Sequence, residues 1–311
     1  MDKVKYSILV GAYNEESTLK AFCEAIVPVM ESTGESFEII FINDGSKDKT
    51  EAVAKEIIEK DKRVRLINFS RNFGQQAGFY AGFANCNGEA VVTMDADLQH
   101  PPATVLDMIA KWKAGYEVVH ACRAKQEGIS WFKKWSSKAY AKFLRKITGI
   151  ETPEGACDFK LLDRKVVDTI VSMKEHNRFN RNLTLIAGYK QTTVEFVCGS
   201  RVAGETKWTY KKLLKYSING IIPYTDYPLM LPLTTGLIGG VLSCVTFLTF
   251  IILAICGVGL STSAWLFPTI ALFFSILFVF MGLSNIYTNH IYEEVKDRPI
   301  YIIRDKINFE D

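Results

Sequence analysis

Two aspartates one residue apart, Asp95 and Asp97, close an apolar run that begins at Val91 and leads on to Leu-Gln-His-Pro-Pro. Side chains alternate along an extended segment, so these two carboxylates point the same way. With Gln99 two residues further on, they make a hard-oxygen set suited to Mg2+ or Mn2+. Two such charges repel each other and lose hydration at a strand end, so a positive partner is expected beside them. A lone D-x-D is equally a solvated acidic turn, and the setting decides between the two. Other apolar runs also end in polar residues: Asn14 and Glu15, Asn43 and Asp44, Arg71 and Asn72, and Arg123.

The elements that position these residues alternate along residues 1 to about 125. Strand-like segments are YSILVGAY, FEIIFINDGS, VRLINFS, EAVVTMDAD and EVVHACR. Between them lie helical patterns. The first has its apolar positions at Leu19, Phe22, Ile26 and Val29, another is rich in small residues (GQQAGFYAGFANC), and another opens with two prolines, which suit a first helical turn. Strand–helix alternation with apolar strands predicts an α/β fold, a mostly parallel sheet with helices on both faces. Ligands of such sheets sit beyond the carboxyl ends of the strands, where all the polar residues above fall. Neither G-x-G-x-x-G nor G-x-x-x-x-G-K-[ST] occurs, which argues against a dinucleotide fold or a P-loop. Carboxylates at strand ends suit a nucleotide whose phosphates are held through a divalent metal.

The chain has 311 residues, 48% of them hydrophobic, and a net charge of +3. That excludes a disordered chain and does not point to nucleic acid. The seven cysteines contain no C-x-x-C pair, so neither a zinc site nor a disulfide framework is indicated, and reduced thiols in a cytoplasmic setting are expected. The N-terminal apolar run is too short for a signal peptide. Between Asp226 and Glu293 there is no Asp, Glu, Lys or Arg. Leu229–Cys256 and Ala264–Thr288 are each long enough to cross a bilayer, which takes about 20 residues. Lys207, Lys211, Lys212 and Lys215 precede the first span, and Lys296, Arg298, Arg304 and Lys306 follow the second. The turn between them carries no basic residue, so both termini are expected in the cytoplasm. The expected organisation is a catalytic domain over 1–205, a juxtamembrane amphipathic segment over 206–228, a two-helix transmembrane hairpin over 229–290 (229–256 and 264–288) and a cytoplasmic tail over 291–311. Trp131, Trp135, Ala139, Phe143 and Ile147 recur every four residues among lysines and arginines, a basic amphipathic pattern suited either to a membrane surface or to docking on its own sheet.

The segments ILVGAYNEE, FINDGSKDKT, SRNFGQQAGFYAGF and MDADLQHPP together resemble family 2 glycosyltransferases with the GT-A fold. CDFKLLDR, RFNRNL and RVAGETKW, followed by two spans, resemble the polyprenyl-phosphate glycosyltransferases: bactoprenol glucosyltransferases and, more distantly, dolichol-phosphate mannose synthases. The resemblance implies that Ala12, Tyr13, Glu15 and Asp44 hold the nucleotide base and ribose, with Arg71 in the same donor site. It implies that Asp95 and Asp97 contact the sugar nucleotide and its Mg2+ or Mn2+, with Gln99 an auxiliary metal contact. Arg123, Lys133, Ser137 and Arg201 match positions that contact the acceptor phosphate or donor diphosphate. Asp158 matches an acidic residue at the reaction centre, so the catalytic set is Asp97, Asp158 and Arg201. Four positions depart from the family pattern: Cys157, Lys160, Asn182 and Ile186.

The reaction so implied is inverting transfer of one sugar from a nucleotide-sugar, UDP-glucose or a related UDP-hexose, to polyprenyl (undecaprenyl) phosphate at the cytoplasmic membrane face of a bacterium. Its product would be a lipid-linked sugar for cell-envelope glycan modification. GDP-mannose is the alternative donor. A processive polysaccharide synthase fits less well, because no Q-x-x-R-W motif is present. A transporter is disfavoured by spans without an ionisable residue. A silent scaffold need not keep Asp95, Asp97 and Arg201 together. Assembly with further copies of the chain is left open.

Overall fold

The structure is a computed structural model that describes residues 4–124, 155–173, 180–198 and 262–309, with single residues between these stretches. The described residues form two units, one drawn from Met1–Leu213 and Arg298–Asp311, the other from Leu214–Asp297.

In the first unit the strands are β1 (Tyr6–Ala12), β2 (Phe37–Asn43), β3 (Val64–Phe69), β4 (Ala90–Asp95), β5 (Val118–Arg123), β6 (Ala156–Asp163), β7 (Gln191–Phe196) and β8 (Ile303–Ile307). They form one sheet in the order β7-β5-β6-β4-β1-β2-β3-β8. β1 pairs in parallel with β2 and β4, β2 with β3, and β5 with β7. β6 runs antiparallel between β4 and β5, and β8 antiparallel along β3. The mostly parallel α/β sheet is therefore present. β2 is buried along its whole length and β1 everywhere but Gly11, which is why these strands read as unbroken apolar runs.

The helices are α1 (Leu19–Glu31), α2 (Thr50–Lys60), α3 (Gln75–Asn85), α4 (Thr104–Lys113), α5 (Arg164–Ser172) and α6 (Asn180–Ile186). α1 buries Leu19, Phe22, Ile26 and Met30, spaced along one face, and Phe22 meets Phe41 of β2 edge to face. The small residues of α3 let it lie close to the sheet. A Cβ on Gly82 would come within 2.9 Å of Leu9 Cδ1, and one on Gly78 would touch Ile42.

β8 belongs to the stretch expected as a tail. Along its sequence, IRDKI, the exposed Arg304 and Lys306 alternate with the half-buried Ile303, Asp305 and Ile307, as on an edge strand. Ser70 donates its amide to Ile302, Arg304 pairs with Glu51 of α2 at 2.6 Å, and Tyr301 stacks on Phe69 at 5.2 Å.

The second unit contains α7 (Thr262–Lys296), 35 residues with no Asp, Glu, Lys or Arg before Glu293. The expected transmembrane hairpin is not seen. Leu229–Cys256 lies outside the described residues except Thr249 and Ile255, and Ala264–Thr288 falls within α7. Among the described residues no helix is long and apolar enough to cross a membrane. The segments 131–147 and 206–228 lie outside the described residues.

Candidate active site

Strand order reverses about β1: the chain passes from β1 to β2 and β3 on one side, while β4 lies on the other. At such a switch point the connections leave in opposite directions and a crevice opens beyond the strand ends. Asp95, the last residue of β4, is the register partner of Gly11 on β1, and Ala12 that of Asn43 on β2. The loops carrying the predicted donor residues therefore leave from adjacent strands.

The loops after β1, β2 and β3 are tied together by short bonds. Asn14, at φ 56°, donates its amide to Ser46 Oγ at 3.0 Å and accepts from the Lys47 amide at 2.9 Å. The Glu15 amide donates to Thr50 Oγ1 at 2.8 Å, and Thr18 Oγ1 donates to Glu15 Oε2 at 2.8 Å. Asp44 accepts from the amides of Phe73 at 2.6 Å and Gly74 at 2.9 Å. Burial raises its pKa, and those two amides oppose the rise by stabilising the anion. Gly45 sits at φ 66°, where a Cβ would come within 2.5 Å of the Arg71 carbonyl carbon, so only glycine fits this crossing of two backbones. Arg71 lies over the Phe73 ring at 4.4 Å. Ala12 is buried, and its carbonyl accepts the Asp44 amide at 3.0 Å. Its backbone thus ties the end of β1 to the loop that carries Asp44. Tyr13 and Glu15 are partly exposed.

The D-x-D differs from the expected extended geometry. β4 ends at Asp95, and Asp97 lies in the turn that follows, with Leu98 at φ 57°. The turn is closed by the Gln99 amide donating to Asp97 Oδ1 at 3.1 Å. Asp95 Oδ1 accepts from Gln75 Nε2 at 2.8 Å. The Asp95 carboxyl is pushed up to about 7, first by loss of hydration, then by the negative charges of Asp158 and Asp97, with Arg123 acting against them and Glu15 adding to them. Water still reaches 38% of this side chain, and the charges of Asp158 and Asp97 oppose its ionisation from the protein side. Asp95, Asp97, Asp158, Glu15 and Arg123 thus share one electrostatic site, with the expected positive partner supplied by Arg123.

His100 lies beneath this site, 1% exposed, stacked on Phe159 at 4.8 Å and edge-on to Phe196 at 5.7 Å. Burial lowers its pKa to about 4. The ring is therefore neutral at pH 7, and its approach to Asp95 Oδ2 at 3.9 Å is not an ion pair. Its Nδ1 accepts the Asp95 amide at 3.2 Å, which puts the proton on Nε2, facing Cys157 Sγ at 3.8 Å. Asp158 is held by its backbone, whose carbonyl accepts from Thr93 Oγ1 at 2.5 Å. Lys160, two residues on, is 2% exposed. Arg123, at the end of β5, donates its amide to Gly155 at 3.0 Å. Gln75 and His100 were not among the residues predicted for the site. Lys133, Ser137 and Arg201 lie outside the described residues.

Among the described residues no three His, Cys, Asp or Glu side chains are gathered to hold a metal by themselves. A Mg2+-type site needs no such cage, because one or two carboxylates and the substrate's phosphates complete it. Asp95 and Asp97 fit that role: their repulsion is the kind a divalent cation relieves. Gln99 is partly exposed in the same turn.

Residues 7–171, from β1 into α5, match Glycosyl transferase family 2. An uncharacterized glycosyltransferase of Bacillus subtilis, YkcC, is 42% identical over 99% of this chain and 95% of its own length. A prophage bactoprenol glucosyl transferase homolog of Escherichia coli is 32% identical over 97% of this chain and 99% of its own. The bactoprenol glucosyl transferase of Shigella phage SfII is 32% identical over 97% and 98%. With the D-x-D turn at the switch point of an α/β sheet and relatives that match it nearly end to end, the chain belongs to glycosyl transferase family 2 and is a glycosyltransferase.

Proposed function

We propose that this chain transfers one hexose, with inversion, from a UDP-hexose such as UDP-glucose to polyprenyl phosphate, undecaprenyl phosphate in a bacterium. The observation that carries the reading is the cluster of Asp95, Asp97, Asp158, Glu15 and Arg123 at the strand ends, in a chain similar over 97% of its length to bactoprenol glucosyl transferases.

Asp44, Glu15, Tyr13 and Arg71 bind the nucleoside end of the donor from the loops after β1, β2 and β3. Asp95 and Asp97 would hold Mg2+ or Mn2+, which supplies neutralisation of the charge that develops on the departing diphosphate. The acceptor is a phosphate monoester, largely dianionic at pH 7 because its second pKa is near 6. It needs positioning and charge cancellation more than deprotonation. Arg123, with Lys133, Ser137 and Arg201, meets that need, and Asp158 orients the acceptor or a sugar hydroxyl.

The acceptor's chain requires a membrane, and we read residues 229–290 as the hairpin that supplies contact with it, with both termini on the cytoplasmic side. Support comes from the absence of charge between Asp226 and Glu293 and from α7. Leu266, Ile270, Phe273, Leu277 and Met281 are all exposed there, at helical spacing. The lipid-linked hexose then serves cell-envelope glycan modification.

The test is to offer purified enzyme, in detergent with undecaprenyl phosphate, a panel of labelled UDP- and GDP-sugars and to count label in the organic extract. Label from a UDP-hexose supports the reading. Label from GDP-mannose alone would reassign the donor, and label in a long water-soluble glycan would indicate a processive synthase.

A further inference from the structure

Asn43 on β2, Asn68 on β3 and Asp305 on β8 are successive cross-strand partners in register. Their side chains form one directed row. Asn43 Nδ2 donates to Asn68 Oδ1 at 2.8 Å, and Asn68 Nδ2 donates to Asp305 Oδ1. At the other end, Asn43 Oδ1 accepts the Ser46 amide at 3.0 Å. Asn43 and Asn68 are 3% and 0% exposed, so neither can exchange these bonds for water without opening the sheet. An ionised carboxylate only accepts, so Asp305 at the far end sets the direction in which both amides point. Burial of Asp305 acts to raise its pKa, but the bonds from Asn68 and Arg304 outweigh it and hold the carboxyl below the usual range.

The row ends in the loop that carries Asp44. Ser46, whose amide it fixes, also accepts the Asn14 amide, and Asn14 in turn accepts from Lys47. The row therefore reaches the loops after both β1 and β2. We infer that Asp305 is a positioning residue for donor binding, acting through Asn68 and Asn43 on the Asp44 loop. This rests on the reading of Asp44 as a nucleoside contact. The C-terminal strand is then part of the donor site's support as well as an edge of the sheet.

The experiment is steady-state kinetics of the full-length enzyme, with calorimetric binding of UDP as a second readout. Asp305→Ala should raise the KM for the sugar nucleotide roughly fivefold and weaken UDP binding to match, the size expected for one lost hydrogen bond. kcat and the KM for polyprenyl phosphate should stay near wild type. Asp305→Asn keeps the oxygen that accepts from Asn68 and should restore donor KM to within about twofold. Asn308→Ala loosens the other end of β8, where Asn308 Nδ2 donates to Lys62 and Val64 carbonyls, and should lower Tm without moving donor KM. If Asp305→Ala does not fold, Asp305→Glu, which keeps the charge but displaces the oxygen, carries the same test. Donor KM and UDP affinity indifferent to Asp305, or equally altered by Asn308→Ala, would overturn the inference alone. A wild-type chain that neither turns over nor binds UDP would overturn the functional reading and this inference with it.

Discussion

The backbone amide of Asp95 donates to Nδ1 of His100 at 3.2 Å, across the turn that carries Asp97. A buried neutral ring thus holds the geometry of an acidic turn without adding charge to it. His100→Phe would keep the stack on Phe159 and remove the acceptor. We expect kcat to fall by about tenfold, the equivalent of one lost hydrogen bond, with a smaller effect on donor KM. Unchanged kcat in a folded His100→Phe enzyme would show that the turn holds itself.

Asp97→Asn should leave the fold intact, because the Gln99 amide can still donate to the side-chain oxygen. Turnover should fall on the order of a thousandfold, as several kcal/mol of charge stabilisation are lost. Excess EDTA should abolish wild-type activity and Mn2+ or Mg2+ should restore it. Full activity in EDTA contradicts the metal role of the D-x-D turn.

Asp95 carries a folded-state pKa of about 7 against an ordinary value of 3.8. The folded state therefore holds its proton more tightly than the unfolded state. Between about pH 4 and 7 the metal-free protein binds more protons than the unfolded chain, and its stability falls as pH rises through that window. Asp95→Asn removes this penalty. Its Tm should exceed that of the metal-free wild type at pH 8 and match it near pH 4, while activity is lost. A Tm difference independent of pH would refute the charge-crowding account.

Lys133 is proposed to meet the acceptor phosphate. Lys133→Ala should raise the KM for polyprenyl phosphate much more than that for the sugar nucleotide. An effect confined to the donor would move this residue to the nucleotide site.

The first five strands were legible because parallel strands covered on both faces read as unbroken apolar runs, as FEIIFIN does. β6, β7 and β8 were not. β6 opens on the half-buried Ala156–Cys157–Asp158, and in β7 only Phe196 is buried. β8 alternates charge along an exposed edge. Such strands depend on their neighbours more than on their own propensity. In the candidate site, Asp95 closes β4 and Glu15 and Asp44 follow β1 and β2, where the apolar runs of the sequence break off. Spacing alone puts Asp97 in an extended segment, whereas it lies in a turn, because the left-handed Leu98 that turns the chain leaves no mark in residue type. Gln75 and His100 were missed for a related reason. Gln75 reaches Asp95 from α3 through tertiary packing, and His100 reaches back to it only because the turn at Leu98 folds the chain on itself, neither of which residue type or spacing reveals.

The central claim is transfer of a hexose to a lipid phosphate by the carboxylate cluster at the strand ends. The most direct measurement is the initial rate of label transfer from UDP-glucose into extractable lipid, with undecaprenyl phosphate and with undecaprenol compared under Mn2+. The account predicts a saturable rate with the phosphate, none with the alcohol, and loss of the rate in Asp97→Asn. Equal transfer to the alcohol, or a rate that survives Asp97→Asn, would contradict it.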